Sequence, residues 1–85
     1  MPDEVIVTIK VGTVLQGDGG VSTGATVLAH KMADEYTDVI LCYAPNSPHD
    51  PFVLWTYNHE RGTCSKGDYF YHLEAAVEFY KHREY

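Results

Sequence analysis

The segment "CYAPNSPHDPFVLWTYNHERGTC" brings Cys42, His49, His59 and Cys64 together within 23 residues. Thiolate sulfur and imidazole nitrogen are the donors that hold structural zinc, and a cysteine near a histidine is also the pair that activates a thiol nucleophile. The spacing, C-x6-H-x9-H-x4-C, lacks the paired short gaps that close two knuckles on one ion. Whether the four groups converge therefore depends on the elements that carry them.

Those elements read as strands. "DVILCYA" and "FVLWTYN" are short β-branched and aromatic runs on either side of the loop "PNSPHDP", and "HERG" turns the chain into "TCSKGDYF". Short links join neighbours, so an antiparallel meander is expected. His49 then precedes the strand Phe52 to Tyr57 and His59 follows it, which sets the imidazoles roughly 20 Å apart at ~3.3 Å per residue, whereas zinc draws its ligands within ~2.3 Å. Strands on either side of a middle one stand ~9.5 Å apart, beyond the ~6.8 Å limit for a Cys42 to Cys64 disulfide. Both cysteines are expected as small buried apolar side chains, and no metal ligand, cofactor or catalytic residue is assigned. A zinc enzyme, or a thiol enzyme with His59 beside Cys64, is the weaker reading, because no third orienting residue accompanies the pair.

The glycine-rich "QGDGGVSTG" stands where phosphate-binding loops stand, between an expected strand and an expected helix. It lacks the Walker lysine, Ser22 occupies the place of the third glycine of a dinucleotide fingerprint, and Asp18 would repel phosphate. Turn formation accounts for its glycines. The strand before it is "EVIVTIKVGTVLQ", Glu4 to Gln16, in which Val5, Val7, Ile9 and Val11 alternate with Ile6, Thr8 and Lys10. After it, in "VSTGATVLAHKMADEY", Ala25, Leu28, Met32 and Tyr36 fall near helical spacing behind Ser22 or Thr23 as a cap, and a first helix is expected. A second helix is expected over "HLEAAVEFYKHR", where Leu73, Ala76, Val77 and Tyr80 form an apolar stripe. Glu74 in its first turn and Lys81, His82 and Arg83 in its last suit the helix dipole. The expected order is β-α-β-β-β-α, an α+β domain over residues 1–85 with an antiparallel sheet and both helices on one face. The other face would leave the sets Val39, Leu41, Tyr43 and Val53, Trp55, Tyr57 as candidates for an open, adhesive surface.

A hydrophobic fraction of 45% in 85 residues suits one domain with a single modest core. No segment approaches the ~20 apolar residues of a membrane span, and Met1-Pro-Asp-Glu offers no signal-peptide start, so a cytoplasmic protein with reduced thiols is expected. Twelve acidic against six basic residues give a net charge of -6, which disfavours direct binding to DNA or RNA and favours attraction to basic protein surfaces. Asp34, Glu35 and Asp38 crowd the exit of the expected first helix, where the dipole favours cations. Glu74 and Glu78 repel one another at i, i+4, with Lys81 and His82 one turn on. With Tyr43, Trp55 and Tyr57 as aromatic anchors, these acidic residues make up the expected partner interface. His30, His72 and His82 are expected as ordinary surface or boundary residues.

From Trp55 to Glu84, "WTYNHERGTCSKGDYFYHLEAAVEFYKHRE" combines a strand tryptophan, a Gly-x-Cys-x-x-Gly turn and strand, a Tyr-Phe pair and a helix. The residues in question are Trp55, Gly62, Cys64, Gly67, Tyr69, Phe70, Leu73, Ala76 and Phe79. Over this last third the chain resembles small orphan proteins carried by phages and other bacterial mobile elements, of the anti-CRISPR or wider anti-defence type. That resemblance implies a non-enzymatic inhibitor in the cytoplasm of a bacterial host. Its partner would be a basic surface of a nucleic-acid-processing assembly, a CRISPR effector or another nuclease complex. The resemblance brings no catalytic motif with it. A charge of -6 over a domain ~25 to 30 Å wide falls short of duplex DNA, which carries one charge per ~1.7 Å, so mimicry would be local or the inhibition steric. The alternative is a small oligomerising adaptor whose open sheet face makes a homodimer.

Overall fold

The computed structural model describes residues 9–16 and 20–84. The β-branched and aromatic runs pair as β1 (Thr26–Met32), β2 (Thr37–Tyr43), β3 (Phe52–Asn58) and β4 (Thr63–Phe70), and α1 (Leu73–His82) follows. The strands lie side by side in chain order, every pair antiparallel. The meander and the second helix thus stand where the sequence places them, and the architecture is α+β. The expected β-α-β-β-β-α order does not hold, because among the described residues there is one helix and the first expected helix is largely β1 and the turn after it.

Helical spacing of Ala25, Leu28 and Met32 loses to the burial that a strand achieves. Val27 is fully buried opposite Cys42, whereas Met32 is 76% exposed and Leu28 sits in a bulge between the pairs Val27↔Cys42 and Ala29↔Leu41. Gly24, at φ +77°, ends the preceding turn, and Thr26 and Val27 are β-formers. Asp34 then builds the β1–β2 turn. Its Oδ1 accepts from the amides of Tyr36 (2.8 Å) and Thr37 (2.9 Å) and from the Thr37 hydroxyl (2.9 Å). These donors, the Tyr36 amide first, hold the Asp34 carboxyl below the usual carboxylate range.

The expected first strand falls partly outside the described residues, as do Val5, Val7 and the Asp18 turn. Residues 9–16 follow an irregular course along the start of β1, with the Gly12 amide on the Val27 carbonyl (2.7 Å), the Val27 amide on Thr13 (2.8 Å) and the Leu15 amide on Ala25 (2.8 Å). Ile9, Leu15 and Ala25 are buried with Val27, Ile40, Cys42, Val53, Trp55 and Tyr57 in one apolar cluster. Alternation along each strand sends the intervening side chains to the other face, where Val39, Leu41 and Leu54 are buried with Ala76 of α1, and Val77 and Tyr80 pack against them. The sets proposed for an open face therefore point to opposite sides, and both sides are covered; Tyr43 alone of those six residues is exposed.

Each outer strand is covered or interrupted over part of its length. β1 is flanked at its start by the Val14↔Thr26 bridge. β4 bulges between the pairs Leu54↔Asp68 and Thr56↔Ser65, with Lys66 at φ +56°, and a bulge bearing a lysine interrupts the regular edge that a second strand would need. The bulge also brings Gly67 under the indole of Trp55. A Cβ there would lie 2.9 Å from Trp55 Nε1 and 2.9 Å from Tyr69 Cε1. Tyr69 is half-exposed and can swing away, but Trp55 is buried and edge-on to it at 6.4 Å between ring centroids. Gly67→Ala is therefore expected to cost about 1 to 3 kcal/mol through displacement of the indole. Urea unfolding followed by tryptophan emission checks this; an unchanged midpoint together with an unchanged native emission maximum would show that the indole does not rest on Gly67.

Candidate functional site

Three of the polar residues that the fold buries, Thr37, Asp38 and His59, gather at one end of the sheet. In the β1–β2 ladder His30 opposes Ile40 and Met32 opposes Asp38, so His30 and Asp38 are diagonal neighbours on the face of the Trp55 cluster. Asp38 is 5% exposed, and its two oxygens face two imidazoles: Oδ2 lies 2.9 Å from His30 Nδ1 and Oδ1 lies 3.1 Å from His59 Nε2. A carboxylate has no proton to give, so each of these nitrogens carries the hydrogen and donates it. His59 follows β3 and is held by its own amide on the Tyr36 carbonyl (2.9 Å) and by the edge-on ring of Tyr57 (5.4 Å). The His59 side chain is 2% exposed and its Nδ1 is buried with no partner among the described residues, while the His30 side chain is 29% exposed. The bond from His59 to Tyr36 ties the β3–β4 turn to the β1–β2 turn, and Asp38 clamps the same two elements from inside.

Three titratable groups in contact are what proton-transfer chemistry uses, with a carboxylate fixing the tautomer of an imidazole. A reaction also needs a place for substrate. The cleft of about 570 Å³ between residues 9–16 and the β3–β4 hairpin is lined by Ile9, Leu15, Tyr57, Gly62 and Cys64 among others, and the groove of about 550 Å³ between β4 and α1 by Lys66, Phe79 and Arg83 among others. Neither is lined by His30, Asp38 or His59. The contacts join β1, β2 and the β3–β4 turn as an internal clamp.

The four residues that raised the zinc question are distributed as follows. His49 is exposed in the β2–β3 loop, His59 lies beyond the opposite end of β3, and the two cysteines sit on β2 and β4 with β3 between them. Among the described residues no three His, Cys, Asp or Glu side chains are grouped to hold a metal ion. Both thiols are free. Burial, and then the neighbouring Cys64, push the Cys42 thiol up to about 12, and burial pushes Cys64 up to about 11. The reactive species is the thiolate, so native protein at pH 7 to 8 is expected to react with a disulfide reagent at least tenfold more slowly than a free cysteine, and both thiols to react at once in denaturant. The pH dependence of stability has a definite sign. A thiol pKa raised in the folded state contributes stability that is complete below about 9, the ordinary value, and is lost as pH rises toward the folded values. Rapid labelling of Cys64 at neutral pH would contradict this arrangement.

The residues expected at a partner interface do not form one surface. Asp38, Trp55 and Tyr57 are buried, the first in the histidine clamp and the others in the cluster with Ile9, Leu15 and Ala25, and so are unavailable to a partner in this fold. Tyr43 is 44% exposed at the far end of β2, its ring 5.9 Å from that of Phe52. Glu74 and Glu78 lie on the exposed side of α1, and Glu78 pairs with His82 at 3.0 Å. Asp34 and Glu35 remain exposed at the tip of the β1–β2 hairpin. Beside them stand Glu60 and Arg61 in the β3–β4 turn, the half-exposed Tyr36 and the exposed Met32. In the sequence "ADEYTD" has the pattern of a helix end rather than of a hairpin tip, so the pattern does not bring the two turns, and with them Glu60 and Met32, together. No helix among the described residues is long and apolar enough to cross a membrane. Comparison with protein-family models, curated proteins and solved structures found no match to this chain.

Proposed function

We propose that this chain is a non-enzymatic inhibitor of the anti-CRISPR type, carried by a phage or mobile element, and that it engages a basic surface of a nucleic-acid-processing complex through the double-turn end of its sheet. One observation carries the choice of surface. Asp34, Glu35 and Glu60 are exposed there around Tyr36 and Met32, on two turns locked together by the His59 amide and by Asp38. Acidic groups around an apolar centre steer and then anchor a complementary basic face, and a rigid pair of turns spares the entropy of ordering them on binding. A net charge of -6 supports the same direction of attraction. The alternative, a small oligomerising adaptor, draws less support from an open sheet face, since the residues expected there are buried apart from Tyr43.

The test must separate binding from folding. Asp34 builds its turn and Asp38 its clamp, so reversing their charge would perturb the fold. Glu35→Lys and Glu60→Lys alter the surface alone. Titrated into DNA-cleavage reactions of purified CRISPR effectors, the native protein is expected to inhibit at near-stoichiometric concentration. The double variant, with an unchanged circular dichroism spectrum, is expected to associate about tenfold more slowly at low salt and with a flatter salt dependence. Inhibition untouched by the double variant would remove this surface from the reading, and absence of inhibition across effector types would remove the reading itself.

A further inference from the structure

We draw no further inference here: the strongest candidate, the cleft of about 570 Å³ between residues 9–16 and the β3–β4 hairpin, carries none because nothing in the structure shows what covers it.

Discussion

Asp38→Ala is expected to lower the free energy of unfolding by about 2 to 4 kcal/mol, a large part of the ~5 to 15 kcal/mol that holds a small domain together. The physical reason is asymmetry between the two imidazoles. His30 is partly exposed, so water can replace the carboxylate at its Nδ1. His59 is buried, already has an orphaned Nδ1, and on losing Asp38 would keep both ring nitrogens unsatisfied away from water. An unsatisfied buried donor costs about 1 to 3 kcal/mol, and bonds to a charged acceptor stand at the upper end. The same argument ranks the single variants: His59→Ala is expected to cost more than His30→Ala. A double-mutant cycle isolates the contact. Asp38→Ala with His59→Ala should show a coupling of about 1.5 to 3 kcal/mol, and Asp38→Ala with His30→Ala a smaller one. Additivity of the first pair to within about 0.5 kcal/mol would mean that the clamp is not formed in solution.

That clamp also shows where the sequence stops being legible. From Thr37 to His82 the pattern is local and clean: β2 and β3 are apolar runs between turn residues, and α1 repeats its apolar positions at helical intervals, so the meander and the helix can be read directly. β1 defeats the same reading because of its bulge. Val27 and His30 face the same side of the sheet although they are three residues apart, since Leu28 is the extra residue between the pairs that flank it. A strand interrupted in this way presents an apparent period of three to four, the mark of a helix, and Ala25, Leu28 and Met32 complete the imitation. Once β1 is taken for a helix, His30 cannot be placed beside Asp38 and the clamp disappears from view. Asp38 itself is the one sign left in the sequence. It heads the run "DVILCY", and a carboxylate continuous with buried strand residues needs internal donors. The covering of the Trp55 face was illegible for another reason, as it depends on an irregular segment held by individual amides rather than by any periodic pattern.

Arg83→Met is expected to undock the helix end and cost about 2 to 4 kcal/mol, although Arg83 lies beyond α1 in a tail of charged residues. Its side chain is only 6% exposed. Nη1 donates to Asp68 Oδ2 at 2.7 Å and to the Leu54 carbonyl at 3.4 Å, and Nη2 donates to the Thr56 hydroxyl at 2.8 Å, so one guanidinium joins the end of α1 to β3 and β4. The bulge in β4 is what turns Asp68 to this face, opposite Leu54. Methionine keeps most of the stem and its packing, so the loss measures the polar head. Arg83→Lys is expected to recover less than half of that loss, because a single ammonium cannot reach carboxylate, carbonyl and hydroxyl with the fixed fork of a guanidinium. Asp68 is 41% exposed and its carboxylate can be rehydrated, so Asp68→Asn should cost about 1 kcal/mol or less, and the order Arg83→Met, Arg83→Lys, Asp68→Asn is itself the expectation. Unfolding midpoints give the ranking, and hydrogen exchange locates it: the α1 amides should lose protection in Arg83→Met by a larger factor than the β2 amides. Equal loss across helix and sheet would indicate global destabilisation without undocking, and a variant as stable as the native chain would show that the guanidinium does not bind the sheet.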